Sequence, residues 1–208
     1  MSDKRHHGPF VHENTPGIFT EFEPGIDRRS RRTRQALHEA LIHLIVERGY
    51  DEITVADIAE AADLGRSTFY AHFTDKDDLL RCAGSYLKQV LIKEHETVAK
   101  SSARPEDRML GFSKFMTTHL YEQRVIFHAL MRGQGGPIFL EIIRDVLCEI
   151  VRKELPGRGE ALEREVAAQF VVGGYITVVT WWLRSGARQY PSAVEAAFRK
   201  IASSGLSS

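Results

Sequence analysis

With 208 residues, 43% of them hydrophobic, the chain is long enough to bury a sizeable core, either as one large domain or as a small one joined to a larger one. Its formal net charge is zero, which excludes a global basic field as the means of holding a nucleic acid, and no run of eighteen apolar residues suggests a membrane partner. Cys82 and Cys148 lie far apart, without CxxC or Cys/His spacing, which argues for a reducing cytoplasm and against a disulfide or structural zinc, so no metal or other cofactor is expected.

Residues 1–26 are rich in Pro and Gly, lack the apolar core of a signal peptide and read as a disordered tail, in which His6, His7 and His12 are simply solvated. Arg28, Arg29, Arg31, Arg32 and Arg34 follow as a local basic cluster, suited either to phosphate or minor-groove contact or to an ordinary solvated arm. The spacing then predicts a helix from Ser30 to Arg48, buried along Leu37, Ala40, Leu41, Leu44 and Ile45 and closed by Gly49. Thr54 and Asp57 form a capping box at the start of a second helix whose inner side is Val55, Ile58, Ala59 and Ala62. A break from Ala62 to Gly65 leads into a short third helix, Arg66 to His72; two short helices behind a longer one make a helix-turn-helix.

A second capping box, Thr74 with Asp77, is expected to open a long connecting helix reaching Val98 along Leu79, Leu80, Ala83, Tyr86, Leu87, Val90 and Leu91. Helices are then expected over Glu106 to His119, Glu122 to Met131 and Ile138 to Leu155. The Gly133 to Gly136 stretch is a loop, Pro137 lies in a first turn and Pro156 is a stop. In FVVGGYITVVTWWL, Phe170 to Leu183, apolar residues occur all round, so burial from every direction is expected, and Gly173, Thr177 and Thr180 form a small-residue face for close helix approach. After Pro191 a third box, Ser192 with Glu195, starts a helix striped with Val194, Ala197, Phe198 and Ile201. These last two helices fit either a four-helix interface with a second copy or an internal core. The fold is therefore expected to be all-α, about nine helices, with a three-helix helix-turn-helix domain at 27–74 and a larger helical domain at 75–208.

The stretch GRSTFYAHFTDK, Gly65 to Lys76, combines a polar, basic turn with an aromatic one. Phe69 and Phe73, four apart, plug the core with Leu64, which leaves Arg66, Ser67, Thr68 and Tyr70 toward the outer side. Arg66 suits a guanine edge, Ser67 and Thr68 suit bases or phosphates, and Tyr70, His72 and Lys76 suit phosphates; the alternatives are a solvated Arg66, a helix-start role for Ser67 and a partial-core place for His72. An enzyme is not expected: HExxH, GxSxG, a phosphate-cradling glycine loop and a paired-carboxylate arrangement are all missing.

Residues 30 to 80, centred on TVADIAEAADLGRSTFYAHFTDKDDLL, resemble the TetR family of bacterial transcription regulators. They depart from the common pattern at Asp63, where glycine is usual, and at Gly65, where serine is common. The resemblance implies a cytoplasmic homodimer whose paired recognition helices enter successive major grooves of a palindromic double-stranded operator, with half-sites about 34 to 36 Å apart. Carried over by position, Thr54 contacts phosphate, the segment from Gly65 through Arg66, Ser67 and Thr68 faces bases or backbone, and Tyr70, His72 and Lys76 grip phosphates. It further implies that the C-terminal domain dimerises and encloses a small-molecule effector. Phe112, Phe115, Met116, Phe127, Met131 and Ile143 are candidates for the wall of that pocket, and His119 and Tyr175 for its polar anchors. Effector binding would shift the dimer population and release a repressor; the alternative is a DNA-binding dimer with no effector.

Overall fold

The computed structural model describes residues 27–101, 110–154 and 160–206, so the expected tail, the start of the helix placed at Glu106 and the stop at Pro156 lie outside the described residues. Among the described residues the chain is all-α, with nine helices and no strand. In chain order these are α1 Arg28–Arg48, α2 Val55–Ala61, α3 Arg66–Tyr70, α4 Lys76–Ser101, α5 Phe112–Glu122, α6 Arg124–Leu130, α7 Gly135–Glu154, α8 Ala161–Arg184 and α9 Pro191–Leu206.

Two apolar clusters organise them. The first joins Leu37, Leu41, Leu44 and Ile45 of α1 to Ile58 of α2, Phe69 and Phe73 around α3, and Leu79 and Leu80 of α4, and it takes in Ala129 and Leu130 of α6 as well. The second is larger and is built from α5, α7, α8 and α9, with Leu91 of α4 and Phe127 of α6. Met131 and Phe139 pack against both clusters, so the two cores touch through the α6–α7 junction.

Local chemistry sets the ends of the helices. Asp27 accepts from the backbone N–H of Arg29 at the start of α1, two residues ahead of the expected start, and Gly49 ends it at φ 83, in the left-handed region that favours glycine. The capping box expected for α4 is displaced by one residue: Asp75 accepts from the Asp78 N–H (2.7 Å), and Asp78 accepts from the Thr74 N–H (2.9 Å). Because α4 begins at Lys76, Asp77 turns inward and accepts the Tyr50 hydroxyl instead. The described part of α5 begins at Phe112, and Gly135 and Gly136, expected in a loop, already belong to α7. Where α4 and α7 pack, a Cβ at Gly84 would stand 2.1 Å from Ile142, so only glycine admits the contact.

The C-terminal pair departs from expectation in an informative way. α8 is long and apolar enough, by length and composition, to cross a membrane, yet Val171, Val172, Tyr175, Ile176, Val179, Trp182 and Leu183 are buried in the second cluster. Burial from every direction is not what a single chain provides: Phe170 is 68% exposed and Trp181 60%. A Cβ at Gly173 or Gly174 would meet nothing within 4 Å, so neither glycine is required by packing inside the chain. In α9 the expected Ser192–Glu195 box is absent, because the Tyr190 carbonyl accepts the first helical N–H groups and Glu195 turns inward to accept from the Ser113 hydroxyl (2.9 Å). Val194, Phe198 and Ala202 form the buried stripe of α9, and Ala197 and Ile201 face outward, contrary to the expected stripe.

Candidate nucleic-acid interface

The turn between α2 and α3 is made by Asp63 at φ 54, a left-handed conformation that Asp tolerates better than most residues, with the Leu64 N–H returning to the Ala59 carbonyl (2.9 Å). An aspartate thus does the work that glycine does in the common pattern. Gly65 follows in an extended conformation without a side-chain cap, and its carbonyl accepts from the N–H groups of Thr68 and Phe69.

Five helical residues cannot hold themselves together, so α3 depends on its aromatic anchors. Phe69 is 0% exposed and Phe73 3%, their rings 5.9 Å apart. That anchoring turns Gly65, Arg66, Ser67 and Tyr70 outward, with Thr68 half-buried. Tyr70 is 60% exposed, braced edge-on by Phe69 at 5.6 Å, so its hydroxyl is presented from a fixed base. Thr54 is exposed at the start of α2, and its hydroxyl is engaged there: it accepts from the Asp57 N–H (3.2 Å) and donates to the Asp57 carboxylate (2.5 Å). These bonds hold the Asp57 carboxyl below the ordinary carboxylate range.

The remaining residues expected at this surface divide. His72 is half-buried, and its Nδ1 lies 3.5 Å from the Ser30 hydroxyl, which ties the end of α3 to the arginine-rich start of α1. Arg28, Arg29 and Arg32 are exposed there, whereas Arg34 donates to Cys82 Sγ (3.4 Å) and lies over the Phe73 ring at 5.0 Å. Lys76 is directed away from an outside partner. Its ammonium donates to the carbonyls of Tyr50 (2.9 Å), Asp51 (3.2 Å) and Ile53 (2.8 Å), a use of all three N–H groups that fixes the α1–α2 connection.

One structural residue of this unit went unread in the sequence. His38 is buried beside Phe73 (rings 5.8 Å apart), and desolvation, then the nearby Arg34 charge, pushes its imidazole down to about 4. Its place on the α1 stripe, one residue after Leu37, was the available signal.

The residues expected to line an effector pocket converge on the second cluster. Phe112 meets Tyr175 edge-on at 5.2 Å, Phe115 stacks on His119 at 5.7 Å, and Met116, Phe127 and Ile143 are buried, with Met131 at the border. Burial pushes the His119 imidazole down and the Tyr175 phenol up. The Tyr175 hydroxyl already has a partner in the Thr117 hydroxyl (3.0 Å). Ser113 and Thr117, buried polar groups four apart on α5, are the members of this core that a search for aromatic residues passes over.

The family profile described as bacterial regulatory proteins, tetR family, matches residues 37–82, from within α1 through α2 and α3 to the start of α4. The chain is 25% identical over 185 residues to the HTH-type transcriptional regulator TcmR of Streptomyces glaucescens, covering 78% of this chain and 79% of that protein. It is 38% identical over 82 residues to YxbF of Bacillus subtilis, described as an uncharacterized HTH-type transcriptional regulator; that match spans 39% of this chain and only 21% of YxbF. A TetR-family regulator from Syntrophomonas wolfei has the same fold at a TM-score of 0.71 and 15% identity, covering 86% of this chain and 96% of that one. FadR of Bacillus subtilis, solved with stearoyl-CoA, aligns at 0.61 and 19% (80% and 96% covered), and RolR, solved with resorcinol, at 0.58 and 23% (83% and 88% covered). The profile falls on the helix-turn-helix just described, which is therefore of the kind found in the TetR family of bacterial regulatory proteins, and the likeness to these solved folds runs on through the C-terminal helices.

Proposed function

We propose that this chain is a cytoplasmic homodimeric repressor that binds a palindromic operator and is released by a small-molecule effector. The observation that carries the DNA-binding part is the presentation of Arg66, Ser67 and Tyr70 on an exposed ridge locked from beneath by Phe69 and Phe73. A guanidinium there can make a bidentate contact to a guanine edge, and the hydroxyls can reach bases or phosphates. Arg28, Arg29 and Arg32, held near the end of α3 through Ser30 and His72, extend the phosphate contact. Thr54 contributes through its N-terminal position on α2, whereas Lys76 supports the reading head from within.

The dimer is supported by the outward face of α8 and α9, where Phe170, Trp181 and Ile201 are exposed and Gly173 and Thr177 leave room for a close helix. Two-fold symmetry then calls for two half-sites about one helical turn apart. The effector would bind among Phe112, Phe115, Met116, His119, Phe127, Met131, Ile143 and Tyr175, a reading supported by their convergence on the second cluster. Structurally similar proteins hold ligands as unlike as resorcinol and stearoyl-CoA, so the panel that tests this chain spans aromatic and acyl compounds. The effector acts only if it binds one dimer conformation more tightly than the other.

The test is selection of genomic fragments by the purified full-length protein. Recovery of a shared inverted repeat with that spacing is expected, and recovery of unrelated sequences in proportion to their abundance would refute operator recognition. Titrating a metabolite panel against the selected duplex then separates the effector-released repressor from a DNA-binding dimer whose affinity nothing alters.

A further inference from the structure

Tyr50 to Ile53, which join α1 to α2, are gripped from two directions. From α4, the Lys76 ammonium donates to the carbonyls of Tyr50, Asp51 and Ile53 and lies 4.6 Å from the Tyr50 ring centre, and Asp77 accepts the Tyr50 hydroxyl. From the other side comes the α6–α7 junction. There the backbone N–H of Gln134 donates to the Asp51 carboxylate at 2.8 Å, a bond strengthened by the full charge on its acceptor.

The glycines around Gln134 make that approach possible. A Cβ at Gly133 would stand 2.5 Å from the Asp51 carboxylate, and one at Gly135 2.8 Å from the Tyr50 ring. The contact is continuous with the apolar packing, since Leu130, just before this junction, is buried in the core of the helix-turn-helix unit. Phe127 and Met131, both assigned above to the effector region, border the same turn.

A reading head attached to its body only through the start of one helix could pivot about that point; a second, off-axis contact removes the pivot. We propose that the Asp51–Gln134 contact is an interdomain latch: it fixes the orientation of the DNA-reading head on the effector-binding body, and displacement of the α6–α7 junction reaches α3 through the α1–α2 connection as well as through α4. The regulatory consequence rests on the DNA-binding function proposed above, but the latch is measured on the protein alone.

The measurement is an intrachain spin-label distance between Glu60→Cys on α2 and Arg144→Cys on α7, with Cys82 and Cys148 replaced by alanine and the labelled chain diluted into unlabelled protein. The parent should give one narrow distance distribution. Asp51→Ala should broaden or shift it, and Gly133→Val, which fills the carboxylate's place from the opposite side, should do the same. Asp51→Asn keeps an acceptor oxygen and should restore the narrow distribution. Amide exchange at Gln134 should quicken by about tenfold or more in Asp51→Ala, as expected for loss of a hydrogen bond to a charged group. Unchanged distributions in both Asp51→Ala and Gly133→Val would overturn the latch, whereas failure of fragment selection would count against operator binding and leave these distances unaltered.

Discussion

The two ends of the molecule solve opposite packing problems. In the helix-turn-helix unit every large aromatic but one is buried, and the exception, Tyr70, stands on the face that also carries Arg66 and Ser67. In α8 and α9 the exposed residues include large apolar ones: Leu162, Val166, Phe170, Trp181 and Ile201. Water is an acceptable neighbour for the first set and a costly one for the second. The N-terminal unit, closed from behind by Ala129 and Leu130 of α6, thus leaves a polar face open, whereas the C-terminal helices, in one chain, leave apolar surface that a second copy would cover.

Damage to the head's core should abolish DNA binding and loosen Ala129 and Leu130 of α6, which pack in it, while leaving the helices of the second cluster in place. Phe69→Ala removes a fully buried ring and should cost roughly 3–5 kcal/mol. A thermal melt followed by circular dichroism should show early loss of the head's helices and retention of the rest, and a melt superimposable on the parent's would contradict the anchoring role.

Acid probes the same core through His38. Its folded pKa of about 4 lies below the ordinary 6.5, so on acidification the unfolded chain takes up its proton first. Stability is therefore unaffected by this group above pH 6.5 and falls as pH drops from there toward about 4. The full loss is on the order of 3 kcal/mol, at about 1.4 kcal/mol per unit. Denaturant midpoints measured across this window should slope in the parent and flatten in His38→Gln; equal slopes would assign the acid sensitivity to other groups.

The opposite end is tested by Trp181→Glu, which sets a carboxylate in the middle of the exposed apolar face. An interface hot spot of this type should lose about 2 kcal/mol or more of association. Sedimentation should then find a single-chain mass where the parent gives twice that, together with weakened operator binding; identical masses would show that this face is not the interface. Arg66→Ala, by contrast, should leave mass and melting unchanged and lose roughly 1–3 kcal/mol of operator affinity, mostly at one base pair. Uniform loss across operator variants would make Arg66 a phosphate ligand instead.

What could be read from the sequence follows the range of the interactions. Gly49, the Thr54–Asp57 box and the Phe69/Phe73 pair each depend on residues within four positions, and spacing alone locates them. Asp77 and Lys76 were misplaced because their partners, Tyr50 to Ile53, lie more than twenty residues away, and nothing in a local pattern reveals that an ammonium will meet three carbonyls. Glu195 failed in the same way: a capping spacing was present, but Ser113, on a helix distant in sequence, claimed the carboxylate. For α8 the composition was legible but not the direction, since an all-round apolar helix does not disclose which side its own chain covers.

Thr54 is the position at which local structure and recognition are hardest to separate, and where the smallest effect is expected. Its hydroxyl both accepts from and donates to Asp57, so a direct phosphate contact would compete with the capping box. Thr54→Ala should therefore lower stability by about 1 kcal/mol, the usual cost of a lost cap, and weaken operator binding only to the extent that α2 frays. Thr54→Ser keeps the hydroxyl and should restore both. If Thr54→Ala melts like the parent yet binds the operator less tightly with a shallower salt dependence, the hydroxyl touches phosphate directly, and the face available to DNA extends from α3 to the first turn of α2.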